Sequence, residues 1–375
     1  MLGGLVAVLF AATLVGLFVL WPGHTRPRGA GQAFGGPTVG ATVTSERAVR
    51  CPGPAAQRCR QLGARLDGRT IRLTLGPEDF TAPVKPGAHV RVRRVEPTPG
   101  ATAAEPYAFV AVDHRSALLW LAAAFACLVV VLARWRGLLA LVGFGVSLLL
   151  VTRFVVPAIL AGSPALPVAL VGSLAVMFVT VGLTYGVSTQ SLAAALGIAG
   201  SLGFATVVGT IAVHAAGLDG RSGEFAIALT QTAQGVSLQG IVLAGVVIGA
   251  LGVLADMGVT QASAVMALRR ANPELSAVAL YRGAFAVGRD HLVASTHTLV
   301  LAYVGATLPL LLVLRASDVA VPDALNSPDI AEPVVATLVG AMALLVSVPL
   351  TTALAAALVH RMPSDALPES GHHAH

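Results

Sequence analysis

Long apolar runs and one short alternating segment divide this chain. The first run, Leu2–Leu20, is almost wholly apolar and is followed by a Gly- and Pro-rich stretch at 22–40 that reads as a linker. From 41 to 115 the period changes. The pieces ATVTSERAV, RTIRLTL, HVRVRRV and YAFVAV are short, β-branched and partly alternating, and residues 60–67 add a further strand. Turn residues separate them at Asp67-Gly68, Gly76-Pro77, Lys85-Pro86-Gly87 and Pro97 to Gly100. Apolar runs then recur at 116–133, 138–160, 165–185, 191–214, 238–258, 291–313 and 333–359. A helix needs about 20 apolar residues to cross the hydrocarbon core of a bilayer.

The pattern therefore predicts a mainly α, polytopic membrane helix bundle of eight transmembrane helices. A small five-stranded, OB-like β-barrel is inserted after the first helix. The expected organisation is an N-terminal anchor at 1–21, the linker at 22–40, the β-domain at 41–115, a seven-helix membrane domain at 116–361 and a tail at 362–375. A cleaved signal peptide is the competing reading of the first run, which lacks a basic leader and a small-x-small cleavage site. Residues 219–237 mix apolar positions with Glu224, Thr230, Gln231, Thr232, Gln234 and Ser237. They read as a re-entrant, interfacial or connecting segment.

Composition supports the same class. Of 375 residues, 55 % are hydrophobic and only 11 % charged, where soluble domains carry about 25 %. That excludes a disordered chain and an ordinary soluble enzyme. The charge is local: residues 22–115 hold 14 Lys+Arg against 7 Asp+Glu, and the rest holds 10 against 11. A basic domain beside a bilayer points to membrane lipids and an anionic envelope component as neighbours. No nucleic-acid-binding pattern is present.

Basic residues flank the cytoplasmic ends of membrane helices. With the N-terminus inside, Arg134, Arg136, Arg269, Arg270, Arg282, Arg289 and Arg361 fall on the cytoplasmic side. The opposite loops hold Arg221 and Arg315 beside Asp318, Asp323, Asp329 and Glu332. Both termini are then cytoplasmic and the β-domain is extracytoplasmic. Cys51 and Cys59 lie in that domain, eight residues apart. They are either a disulfide or two free thiols, the first being favoured outside the cytosol.

Ionisable residues within membrane helices are costly and mark functional sites by default. They cluster twice. In LGVLADMGVTQASAV, Asp256, Thr260 and Ser263 share a helix face, with Gln261 beside it; in VGRDHLVASTHTLVLAY, Arg289, Asp290, His291 and His297 open the next span. Both clusters are expected at the cytoplasmic ends of their helices. A carboxylate with two imidazoles suits ion binding or proton relay. The structural alternative makes Asp290 a helix-start cap and the Ser/Thr set interhelical glue. No metal-ligand spacing, cofactor motif, nucleophile elbow or Walker loop is present.

LGVLADMGVTQASAV, the intervening ANPEL and GRDHLVASTHTLVLAYVGATLPLLL resemble the signature of the YibE/F family of bacterial membrane proteins. RWRGLLAL at 134–141, FVVPAILAG and VDHRSALLWL support the resemblance, which covers about 107–360. It implies a multipass protein of the bacterial plasma membrane and implies no reaction. The chain departs from the family pattern twice: only Asp256 carries over from its Asp-rich turn, and Tyr185 stands where the resemblance leads one to expect a His. The expected function is a secondary transporter or exporter with a polar site between spans six and seven. The alternative is a non-transport envelope scaffold or sensor whose β-domain binds a partner, and an intramembrane enzyme ranks below both. A homo-oligomer is compatible with every one of these readings.

Overall fold

The computed structural model describes residues 2–23, 37–51, 58–77, 81, 83–95, 106–221, 226, 229 and 235–361. The tail at 362–375 and the polar residues between 222 and 234 lie outside the described residues. Two compact units emerge, Gly29–Leu132 and a larger unit of Met1–Arg28 with Ala133–His375.

The smaller unit holds one antiparallel sheet. Its strands are β1 (Thr38–Arg50), β2 (Arg58–Leu66), β3 (Arg69–Pro77), β4 (His89–Arg94) and β5 (Tyr107–Val112), in the order β3-β2-β1-β4-β5. β1 begins at Thr38, inside the expected linker, because Thr38 to Thr42 pair with Arg93 to His89. The sheet is curled enough to bring its two edge strands, β3 and β5, together. Side chains alternate across a strand. One face therefore buries Ala41, Val43, Leu62, Ala64, Leu73, Val90 and Val92. The other face stays exposed. A disulfide joins Cys51 to Cys59 across the β1–β2 turn, with their Cα atoms 5.0 Å apart. β5 feeds straight into α2: Asp113 Oδ1 accepts from the Arg115 backbone N–H at 3.0 Å. A carboxylate there satisfies a donor that the first helical turn leaves free.

Seven helices are long and apolar enough to cross a membrane. They are α1 (Leu2–Val19), α2 (Arg115–Leu150, continued by a π-turn at Val151–Val155 and α3 at Val156–Leu160), α4 (Ala165–Tyr185), α5 (Thr189–Ala215), α6 (Leu238–Ala271), α7 (Ala277–Ala316) and α9 (Pro328–His360), with the short α8 at Val321–Asn326. The expected runs 116–133 and 138–160 lie in one 46-residue stretch that holds two helices joined at a kink. That stretch is broken at Arg134, whose φ of 53° and ψ of −131° are not helical. The interruption falls in RWRG, between the two apolar runs.

Two further differences matter for the site. α6 runs on to Ala271 and α7 begins at Ala277, so the polar segment between spans six and seven is helical except for the turn at 272–276. The segment 259–271 has no breaker before Asn272-Pro273. Proline disfavours helix at the residue before it, and Asn272 is accordingly extended (φ −145°, ψ 98°). The Arg269 guanidinium closes the turn by donating to the carbonyls of Pro273 and Leu275.

The core of the larger unit lies among α5, α6, α7 and α9, with α4 packed on α6 and α1 on α4. Glycine permits the closest approaches. A Cβ on Gly197 would lie 2.0 Å from Thr351 Oγ1, on Gly258 2.5 Å from Ile198, and on Gly288 2.4 Å from Gln261. In a lipid environment such close packing replaces the hydrophobic effect as the force between helices. Gly197→Ala is therefore expected to lower the melting temperature of the detergent-solubilised protein, with overpacking costing about 1–3 kcal/mol. Gly203→Ala, on the same helix with open space around it, should be neutral or stabilising by up to about 1 kcal/mol. Equal melting shifts for the two variants would refute the packing role.

Candidate functional site

Asp256 lies within α6, fifteen residues before its end at Ala271, and His291 within α7, fourteen residues after Ala277. The helices run antiparallel, so the two side chains meet with His291 Nε2 3.4 Å from Asp256 Oδ2. The contact lacks hydrogen-bond geometry, and Nε2 is shielded from solvent without another partner among the described residues. The rest of the pair is open, with 65 % of the Asp256 side chain and 40 % of the His291 side chain exposed.

Arg136 and Asp256 are the charges that act on the Tyr185 hydroxyl at the end of α4. Four segments thus contribute to one end of the bundle: RWRG, LTYG, ADMG and GRDH. Beside them α5 opens with Ser188 and Ser191 capping each other's backbone N–H groups. Gln190 Nε2 then donates to Ser263 Oγ on α6 at 2.6 Å.

Gln261 occupies a different layer. It is completely buried, and its Oε1 accepts from Thr352 Oγ1 of α9 at 2.8 Å. Its side chain fills the space that Gly288 of α7 leaves empty. Ser347 and Thr351 continue the polar seam along α9 toward α5, where Ser201 is equally buried. The Nε2 of Gln261 and the hydroxyls of Ser347 and Thr351 have no partner among the described residues. Unpaired buried polar groups cost about 1–3 kcal/mol each, so this seam is a polar feature held against packing energy.

The expected cluster does not converge as a whole. A helix turns 100° per residue. Asp290 lies about 200° around α7 from the inward-facing Gly288, and His297 about 180°. Both are exposed, as is Arg289. Asp290 is also no helix-start cap, because Ser276 takes that role by accepting from the Ala279 N–H. Thr260 is half-buried one turn from Asp256. Gln261 and Asp256 point about 140° apart on α6.

At the opposite end of the helices lies a cavity of about 490 Å³, between the start of α6, Tyr303 of α7 and the first turns of α9. Asp329 and Glu332 stand in its wall beside Gly220 and Gly245. The Oε1 of Glu332 is inaccessible to solvent and has no partner among the described residues. Sequence reading placed these acids only as loop charges. The polar stripe Ser347, Thr351, Thr352 around Pro349 was the available sign of the buried seam: its 3.6-residue spacing within an apolar run marks one helix face. Among the described residues no group of three or more His, Cys, Asp or Glu is placed to hold a metal ion.

Helices of membrane-crossing length and apolarity, gathered around a buried polar seam, define the class as a polytopic membrane protein. Residues 121–361, more than half of the chain, match the family described as YibE/F-like protein, and the chain belongs to that family. No curated protein and no solved structure matches it.

Thr352→Val removes the partner of a completely buried Gln261 Oε1. It is expected to destabilise the protein by about 1–3 kcal/mol, whereas Thr298→Val, on the exposed face of α7, should not. Thermal melts of both variants in one detergent check this.

Proposed function

We propose that this protein is a proton-linked secondary transporter of the bacterial plasma membrane. The observation that carries the reading is the Asp256–His291 pair, a carboxylate and an imidazole brought from two helices to 3.4 Å within a membrane-length bundle. Imidazole is the side chain whose ordinary titration lies between about pH 5 and 8, so protonation decides whether the pair attracts.

The acid-walled cavity and the pair lie at opposite ends of α6 and α7. Met257, Leu344 and Val348 pack together, completely buried, at the depth of the pair. In this reading the kink at Arg134 separates two spans, so the chain crosses eight times, both termini are cytoplasmic and the β-domain is extracytoplasmic. The Cys51–Cys59 disulfide favours that side, because such bonds persist in oxidising compartments. The sheet order, with β3 and β5 approaching each other, supports an OB-like partly open barrel.

In a strain lacking the gene, complementation is scored by comparing solute accumulation in whole cells at matched membrane levels of each variant. Asp256→Asn and His291→Ala are expected to be null. Asp290→Asn and His297→Ala, which change exposed residues away from the pair, should retain most activity. If all four behave alike, or if the first two lose only expression, the pair is structural and the transport reading fails.

The topology has its own check. After reduction of intact cells, a membrane-impermeant maleimide is expected to label Cys51 and Cys59, and without reduction it should label neither. Labelling that appears only after the cells are opened would place the β-domain on the cytoplasmic side.

A further inference from the structure

The exposed face of the β-sheet carries one kind of charge. Strand register puts Arg47 opposite Gln61, Arg65 opposite Thr42 and Arg72 opposite Gly63. Across the other side of β1, Arg91 lies opposite Gly40 and Arg93 opposite Thr38. All five belong to the face away from the buried Ala41, Val43, Leu62, Ala64, Val90 and Val92. Glu46, the one described acid within a strand, lies opposite the buried Leu62 on the other face, where it pairs with Arg60 at 2.5 Å. The arginine face therefore has no internal counter-charge among the described residues.

Four of the five step diagonally across the sheet, and Arg47 stands apart from them on β1. Projected onto β1, Arg72 falls at the level of Ser45, Arg65 at Thr42, Arg91 at Gly40 and Arg93 at Thr38, on strands β3, β2, β4 and β4. Three strand spacings of about 4.8 Å and seven residues of about 3.4 Å make a diagonal stripe roughly 28 Å long. Its floor is made of Gly40, Gly63 and the threonines 38, 42 and 44, which keep it low and add hydroxyl donors. Arg91 is held flat on it, its Nε donating to Thr38 Oγ1 at 3.2 Å and a terminal nitrogen to the same oxygen at 2.8 Å. The Nε of Arg93 is buried without a partner among the described residues.

We propose that this face is the docking surface for an extended, phosphate-bearing polymer of the cell envelope. A diagonal row of guanidiniums matches successive anions along one chain, and an exposed guanidinium, as on Arg65 and Arg72, takes a phosphate by two parallel hydrogen bonds. A compact anion would need the arginines gathered around a point, which they are not. The inference rests on the extracytoplasmic placement of the β-domain proposed above and stands whether or not the helical unit transports.

The test uses the full-length protein in detergent and long-chain inorganic polyphosphate as the probe, with affinity measured over a range of salt concentrations. Wild type should bind with a strong salt dependence. The triple change Arg47→Gln, Arg65→Gln and Arg72→Gln removes exposed arginines from the face and should weaken binding at least tenfold and flatten that dependence. Arg50→Gln, Arg58→Gln and Arg69→Gln remove the same charge from positions off this face and should change affinity less than threefold. The corresponding Lys triple on the face guards against misfolding and should keep most of the affinity. Equal weakening by the two Gln triples would mean unspecific attraction and overturn the proposal. So would the absence of polyphosphate binding by wild type alongside tight binding to anionic phospholipid vesicles, which would make the face a lipid-headgroup surface.

Discussion

The helical unit depends on how closely α5, α6, α7 and α9 approach one another. Apolar solvent gives helices no hydrophobic reason to associate, so contact area and internal polar bonds must hold them. Gly197, Gly258 and Gly288 supply the contact, each at a point where a single Cβ would collide with a neighbouring side chain. The polar bonds lie at the same places. Gln261 fills the space at Gly288 while binding Thr352, and the unpaired Thr351 hydroxyl packs against Gly197. Packing and polarity are thus one feature: the glycines let polar side chains be buried at helix crossings, where they are screened from lipid.

Apolar runs read along the sequence located every membrane-length helix but not its extent. Hydropathy reports which residues tolerate hydrocarbon, and it falls silent where a helix leaves it. The segment from 259 to 271 was legible as polar and basic, and nothing in its hydropathy distinguishes a loop from a continued helix. Only Asn272-Pro273 marks the true end. The two runs flanking Arg134 were legible as separate helices, and the kink at that residue divides them. The β-domain was more legible because alternation fixes both the strand and its inward face. Only its first strand began three residues earlier than expected.

At the candidate site, residue types were legible and their company was not. Asp256 and His291 meet as facing groups of adjacent helices, whereas Asp290 and His297 fall on the opposite side of α7. That separation follows from helix phase, which a list of neighbouring polar residues does not contain until the inward face is known. Tyr185 was set aside for departing from the expected histidine, yet the fold brings it within the influence of Asp256 and Arg136. The buried Gln261 layer was half visible, since its partner stands 91 positions away in the chain.

The clasp at the α6–α7 turn constrains what the paired helices can do. Arg269 ties its guanidinium to the carbonyls of Pro273 and Leu275, so the hairpin is closed at its tip like a pair of tongs with a fixed hinge. Separation of the jaws at Asp256 and His291 would strain that hinge, whereas a twist of either shaft about its own axis leaves it intact. Were α7 to turn about its own axis, it would carry Arg289, Asp290 and His297 around with it. What surrounds the bundle would then meet a different stripe of charge in each state.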